Sequence, residues 1–227
     1  MKKFLLVLTL LLSFNPVYAI NNLAADNAIQ SRIDNVGVRL LNFNKIQKRI
    51  VFVYDEEGKK NLIASKSVTK RQVIVYGTAY KSIQTDDELA AMLAREISSA
   101  VKSYSGMWGG RLDTIQVVLG SKKFETVADK RAVDYMVKAG YNPLALIVYI
   151  NKTCPQGRSD KFARHNLTSK RLARIYEYIT YKYPQFLQNN SYIDNEYYQN
   201  FLLNSVENRK KLEQKIKYGG VGEVEYE

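Results

Sequence analysis

The sequence predicts an α+β domain, mostly helical with a small sheet. Apolar residues recur at helical spacing through most of the chain, and two β-branched and aromatic runs lie close together before residue 77. Glycine, proline and capping residues fall where one pattern gives way to the next.

In chain order, Lys2 and Lys3 precede an apolar run over residues 4–14 and a small-residue exit at Val17, Tyr18 and Ala19. That order predicts a secretory signal over residues 1–19. The run is about half of the roughly 20 residues a spanning helix needs. No cysteine follows it to accept a lipid, and nothing later is long and apolar enough to be a transmembrane segment. A single domain over residues 20–218 and a flexible tail over 219–227 are expected. Ile29, Ile33, Val36 and Leu40 place an amphipathic helix over 24–41. Residues 50–54 and 72–76 read as strands, the first ending at the turn-like residues 55–58. Residues 61–64 read as a further strand or an irregular crossing. Thr85 or Asp86 caps a helix whose apolar face uses Leu89, Met92, Leu93, Ile97 and Val101. Gly106, Gly109 and Gly110 mark a loop around Trp108. A second core helix runs over 124–139 and ends at Gly140 in the left-handed position. Asn142 and Pro143 restart a helix, and two more are expected over 168–183 and 195–218.

The chain carries 34 Lys and Arg against 22 Asp and Glu, a formal charge of +12, and loses only two cations with the leader. In an exported protein this basic surface suits anionic envelope material, lipid head groups or polyanionic glycans, as readily as it suits solubility. Export argues against nucleic acid as partner. Cys154 is the only cysteine, so no internal disulfide forms.

The chemistry concentrates in residues 86–99, Asp-Asp-Glu-Leu-Ala-Ala-Met-Leu-Ala-Arg-Glu-Ile-Ser-Ser. This stretch resembles the active-site helix of HtpX-like and CAAX-prenyl-endopeptidase-like zinc enzymes, metallopeptidase family forty-eight. There an acidic-Glu-Leu-Ala lead-in precedes HExxH. Residues 61–77 are similar to the family segment that crosses as an edge strand before that helix. Phe124-Glu125-Thr126-Val127-Ala128-Asp129 and the exit Ala139-Gly140-Tyr141-Asn142-Pro143 resemble its ExxAD helix. His165, Asn166 and the following residues to Arg171 resemble its late His-Pro loop, with Asn166 in place of proline. The resemblance implies a zincin-like metallopeptidase domain, mostly helical, with a small sheet next to the active-site helix. It makes Glu96 the general base, Glu125 the third zinc ligand and Asp129 the support of the first histidine. It brings His165 and Arg171 to the catalytic cleft, although an isolated histidine also serves as a hydrogen-bonded structural residue. Arg71, Gln72, Val73, Ile74, Val75, Tyr76 and Gly77 become the edge strand that pairs with extended substrate.

Two positions depart from the family: Arg95 and Ser99 stand where the histidines belong. A guanidinium has no lone pair to donate and a serine hydroxyl is a poor ligand. Losing ligands that together support on the order of 10 kcal/mol of binding argues against zinc as a cofactor here. Arg95 is expected to pair with Asp129 or Glu125 and supply the charge a metal would have supplied, or else to snorkel into solvent. Three functional readings follow. The favoured one is an exported, periplasmic or cell-envelope pseudoprotease that binds a polypeptide or envelope protein. The second keeps metalloendopeptidase activity through an altered site, with Glu96, Glu125 and His165 around another metal or with metal-free water activation. The third is a basic envelope-binding module.

Overall fold

The computed structural model describes residues 16–57, 64–67, 71–104, 121–154, 167–219 and 224–226. Helix α1 (Pro16–Phe43) leads into strands β1 (Val51–Asp55), β2 (Ala64–Ser67) and β3 (Gln72–Tyr76). Then come the one-turn α2 (Gly77–Tyr80), the long α3 (Asp86–Tyr104) and α4 (Ser121–Lys138), and α5 (Leu144–Thr153). The chain closes with α6 (Thr168–Lys182), α7 (Gln185–Gln188), α8 (Glu196–Asn204) and α9 (Val206–Lys217). The architecture is mostly helical with one small sheet, of the α+β class. Among the described residues, no helix is long and apolar enough to cross a membrane.

α3 and α5 form the centre. Leu89, Met92, Leu93 and Ile97 are fully buried, as the spacing predicts, and so are Ala90, Ala91 and Ala94 on the other side. Apolar residues on every face make the first half of α3 a core helix rather than a surface one, and the alanines let its neighbours approach closely. α5 is buried from Leu144 to Ile150. α1 packs Ile33, Val36 and Leu40 into the same core.

The acidic lead-in ties the start of α3 to the rest of the molecule. Thr85 Oγ1 accepts from the Glu88 N–H at 3.2 Å, while Glu88 Oε2 accepts from the Gln84 N–H at 3.1 Å. This is a near relative of the capping box, shifted by one residue on the return bond. Asp86 pairs with Arg32 of α1 at 2.7 Å, Asp87 Oδ1 accepts from the Asn142 N–H at 2.9 Å, and Glu88 meets Lys152 of α5 at 3.3 Å. Three acids at a helix N-terminus complement its dipole and also hold α3 against α1 and α5. α4 ends as expected: Gly140 has φ +79°, the Gly140 N–H bonds to the Val137 carbonyl at 3.0 Å, and the Tyr141 N–H bonds to that of Met136 at 2.9 Å. That pattern is a Schellman cap, which needs the left-handed conformation glycine adopts without strain.

The sheet corrects one expectation. Its order is β1-β3-β2, with β3 parallel to β1 and antiparallel to β2, so the segment from Arg71 to Gly77 holds the central strand and not the edge. Its backbone is paired on both sides, and Val73 and Val75 are fully buried. β1 is itself closed on its outer side, because the Gln30 amide donates to the Phe52 carbonyl at 3.1 Å and accepts from the Tyr54 N–H at 2.7 Å. Among the described residues no strand pairs with the outer side of β2, which packs beside α3.

Two further expectations change. Residues 195–218 form two helices, not one, broken at the buried Ser205, where Arg209 donates to the Leu202 carbonyl at 3.0 Å and to Ser205 Oγ at 3.3 Å. The Ser205 N–H meets the Phe201 carbonyl, and Arg209, which also donates to the Ser205 hydroxyl, meets that of Leu202, so the chain turns with these carbonyls satisfied. The tail is not wholly loose either, since Tyr226 is 2% exposed. The expected signal run over 4–14, residues 61–63 of the crossing, the Trp108 loop, His165 and Asn166 lie outside the described residues. α1 spans both sides of Ala19.

α1 crosses β1 closely at Gly37, where an added Cβ would fall inside the Phe52 ring. Phe52 is 4% exposed and has little room to yield. Gly37→Ala should therefore lower stability by about 1–3 kcal/mol of overpacking, despite a helix-propensity gain of about 1 kcal/mol. A urea midpoint equal to or above the parent's would contradict this packing. Tyr198 and Tyr183 give a pH signature. Burial, with neighbouring Tyr176 next in weight, pushes Tyr198 up to about 12; burial and then the Asp134 hydrogen bond push Tyr183 up to about 12. Raised folded-state values favour the neutral native form, so their contribution is complete below pH 10 and fades as pH rises toward 12. Tyr198→Phe with Tyr183→Phe should lessen the loss of helical circular dichroism between about pH 10 and 12; an unchanged loss would contradict it.

Candidate functional site

α3, α4 and α6 meet around one buried carboxylate. Glu125 and Asp129 are four residues apart on α4, so they share a face and lie one above the other. Asp129 is 2% exposed and Glu125 7%. From α3, Arg95 Nε donates to Asp129 Oδ1 at 2.9 Å. From the first turn of α6, Arg171 donates to Asp129 through Nε to Oδ2 and Nη2 to Oδ1, both at 3.0 Å. The same guanidinium reaches Glu125 Oε1 through Nη1 at 3.2 Å. The fork of Arg171 thus spans both acids, and Asp129 carries two guanidiniums.

The expected pairing of Arg95 with a carboxylate is present, and its partner is Asp129. Burial alone would favour loss of the Arg95 proton, but the charges of Asp129 and then Glu96 outweigh it and raise its pKa. Arg171 behaves alike: burial opposes its charge, Asp129 favours it, Arg95 opposes it, and the balance is again upward. Two permanent cations therefore face two carboxylates. Tyr149 of α5 borders the group, its hydroxyl pushed up by burial and by Glu96 against the pull of Arg95.

The donor set does not suit a metal ion. Both Asp129 oxygens and one Glu125 oxygen accept guanidinium protons, and a divalent cation would have to displace two arginines to reach them. Among the described residues, no three His, Cys, Asp or Glu side chains are grouped as a ligand set. Glu96 lies one residue past Arg95 and is half-buried. An altered site built on Glu96, Glu125 and His165 would require Glu125 to leave Arg171, and His165 lies outside the described residues.

Ser99 is half-buried beside a cavity of about 270 Å³ whose walls include Ser98, Phe124, Val127 and Ala128. The Ser98 hydroxyl is buried with no hydrogen-bond partner among the described residues. Ser99, where the resemblance expects a second histidine, thus opens on a mainly apolar hollow. Sequence reasoning placed Arg95, Glu125, Asp129 and Arg171 in one cleft, and the fold brings these four together. It missed Ser98 and Cys154, whose Sγ lies 3.5 Å from Arg171 Nη1. Ser98 carried a usable signal, since it follows Arg95 by three residues on the same helix; Cys154 carried none. The strand residues 72–76 sit beside α3 as the central strand, and among the described residues β2 has no strand on its outer side.

Comparison with protein-family models, with curated proteins and with solved structures returns no match.

Asp129→Asn removes the charge that both guanidiniums share and should cost about 3–5 kcal/mol, the range for a buried pair broken on one side. Replacing Arg95, Arg171, Asp129 and Glu125 together by apolar residues of similar volume should cost much less, because the two guanidiniums leave with both carboxylates they hold. Urea unfolding of both variants checks the pair. A loss below about 1 kcal/mol for Asp129→Asn would show that the cluster does not organise the three helices.

Proposed function

We propose that this chain is a degenerate relative of the HtpX-like zinc metallopeptidases, exported to the cell envelope, which binds polypeptides without cleaving them. One observation carries the reading: the two acids that would serve a zinc site are held by Arg95 and Arg171. Two guanidiniums supply the two positive charges of a divalent ion while offering it no lone pair. The arrangement keeps the charge balance of a metal site and gives up its Lewis acidity. Glu96 then has no acidified water to deprotonate.

Polypeptide binding needs none of the lost chemistry. β2 offers its outer backbone beside α3, and an extended segment can add to it by main-chain hydrogen bonds alone. The hollow next to Ser98 and Ser99, walled by Phe124, Val127 and Ala128, suits an apolar side chain of such a segment. These features support a holder or adaptor in the envelope.

The test is metal analysis of the purified native protein together with incubation with casein, an unstructured polypeptide. Zinc well below one per chain, with casein retained intact, is the expected result. Stoichiometric zinc with chelator-sensitive cleavage would reject the reading, and failure to retain casein would remove its binding half.

A further inference from the structure

A second, larger hollow of about 650 Å³ lies between α4, α6 and α9. Lys122, Lys123 and Lys130 of α4, Arg174 of α6 and Lys215 of α9 line it. Glu177, which takes Lys215 at 2.8 Å, is the one acid among its described lining residues. Arg174 is aimed by a hydrogen bond to Thr126 Oγ1 at 3.2 Å, and Lys130 lies over the Tyr178 ring at 5.7 Å. Tyr181 adds a half-exposed aromatic face to the wall. Five cations around one hollow create a positive potential that a surface scatter of lysines does not.

The chain itself shows what this surface accepts. Its last residues read Gly-Glu-Val-Glu-Tyr-Glu from 222 to 227. Val224 lines the hollow, Lys211 Nζ donates to the Glu225 carbonyl at 3.3 Å, and Tyr226 is 2% exposed beside Glu177, Tyr181 and Arg174. Val224, the Glu225 backbone carbonyl and the Tyr226 side chain are therefore seated on or beside this basic, tyrosine-bearing wall, in a stretch whose sequence is acidic. The link from α9 begins at Gly219, with φ +61° and open space around it, and continues through Gly220 and Gly222. The hollow also shares Lys123 and Val127 with the smaller cavity beside Ser98 and Ser99, so the two adjoin.

We propose that the basic hollow between α4, α6 and α9 is a binding site for acidic, tyrosine-containing peptide segments, with the chain's own residues 224–226 as its tethered occupant. A short tether holds its segment at an effective concentration on the order of millimolar, so an incoming segment must displace it or bind beside it. The tail then sets a threshold that only a well-matched acidic segment crosses. The site stands apart from the Arg95 and Arg171 cluster, and zinc content or casein cleavage leaves it untouched.

The test is fluorescence anisotropy with the labelled hexapeptide Gly-Glu-Val-Glu-Tyr-Glu and the full chain. The expected results are salt-sensitive binding, loss of binding when the peptide's three Glu are Gln, and about tenfold tighter binding to Tyr226→Ala, whose tail has lost its anchor. Lys123→Glu with Lys130→Glu, on the cavity wall outside the core, should weaken binding by about tenfold or more. Equal affinity for the parent and both variants would overturn the proposal. So would anionic lipid vesicles or a polyanionic glycan that bind through Lys123 and Lys130 while the hexapeptide does not, which would make the hollow an envelope-surface site.

Discussion

Asp129 sits almost without solvent between three helices and accepts hydrogen bonds from guanidiniums on two of them. A lone carboxylate in that position would be costly, because burial removes its hydration and leaves its charge unanswered. A lone guanidinium on either side would be costly for the same reason. Each group is tolerable only because the others are there, and the triad joins α3, α4 and α6 through side chains rather than through apolar packing alone. Glu125, one turn away, takes the remaining arm of Arg171 and brings the local charge to balance. Small residues along α3 and the buried length of α5 matter to this arrangement because they let the helices come close enough for 3 Å contacts.

The same triad gives the functional reading its force. A zinc site and a guanidinium site place opposite demands on the same carboxylates: one needs their lone pairs free for a metal, the other fills them with N–H donors. On the proposed reading, Arg95 stands where a zinc enzyme would carry an imidazole ligand, and it faces the acid that would orient that imidazole. On that reading the junction is structural rather than catalytic. Around it lie a strand edge beside α3 that no described strand pairs, an apolar hollow next to Ser99, and beyond Lys123 a basic hollow bordered by residues 224–226.

Much of the helical framework was legible. The run from Leu89 to Val101 repeats at helical spacing, Thr85 or Asp86 marks its start, and Gly140 marks the end of the next helix, because capping and periodicity are local physics. Arg95 was legible as a partner for an acid, since Glu125 and Asp129 share a helix face and a permanent cation is the natural answer to two crowded carboxylates. The strand order was not. Alternation in residues 72–76 reports that one face is buried, and says nothing about whether a neighbour lies on each side. Gln30 closing the edge of β1 with its side-chain amide, and Ser205 breaking a continuous helical pattern, are likewise invisible until distant groups are placed.

By itself, the sequence determined the helical content, the capping of α3 and α4, the basic charge and the presence of Arg95 and Ser99 on the face of one helix, all of which follow from residue type and short-range spacing. Only the tertiary structure decided that Arg171 would bridge Glu125 and Asp129, that β3 would lie between β1 and β2, and that Tyr226 would be buried beside α6. The reason is physical: these features depend on groups tens of residues apart meeting at hydrogen-bond distance, and no local preference encodes which partner a side chain or a strand edge will find.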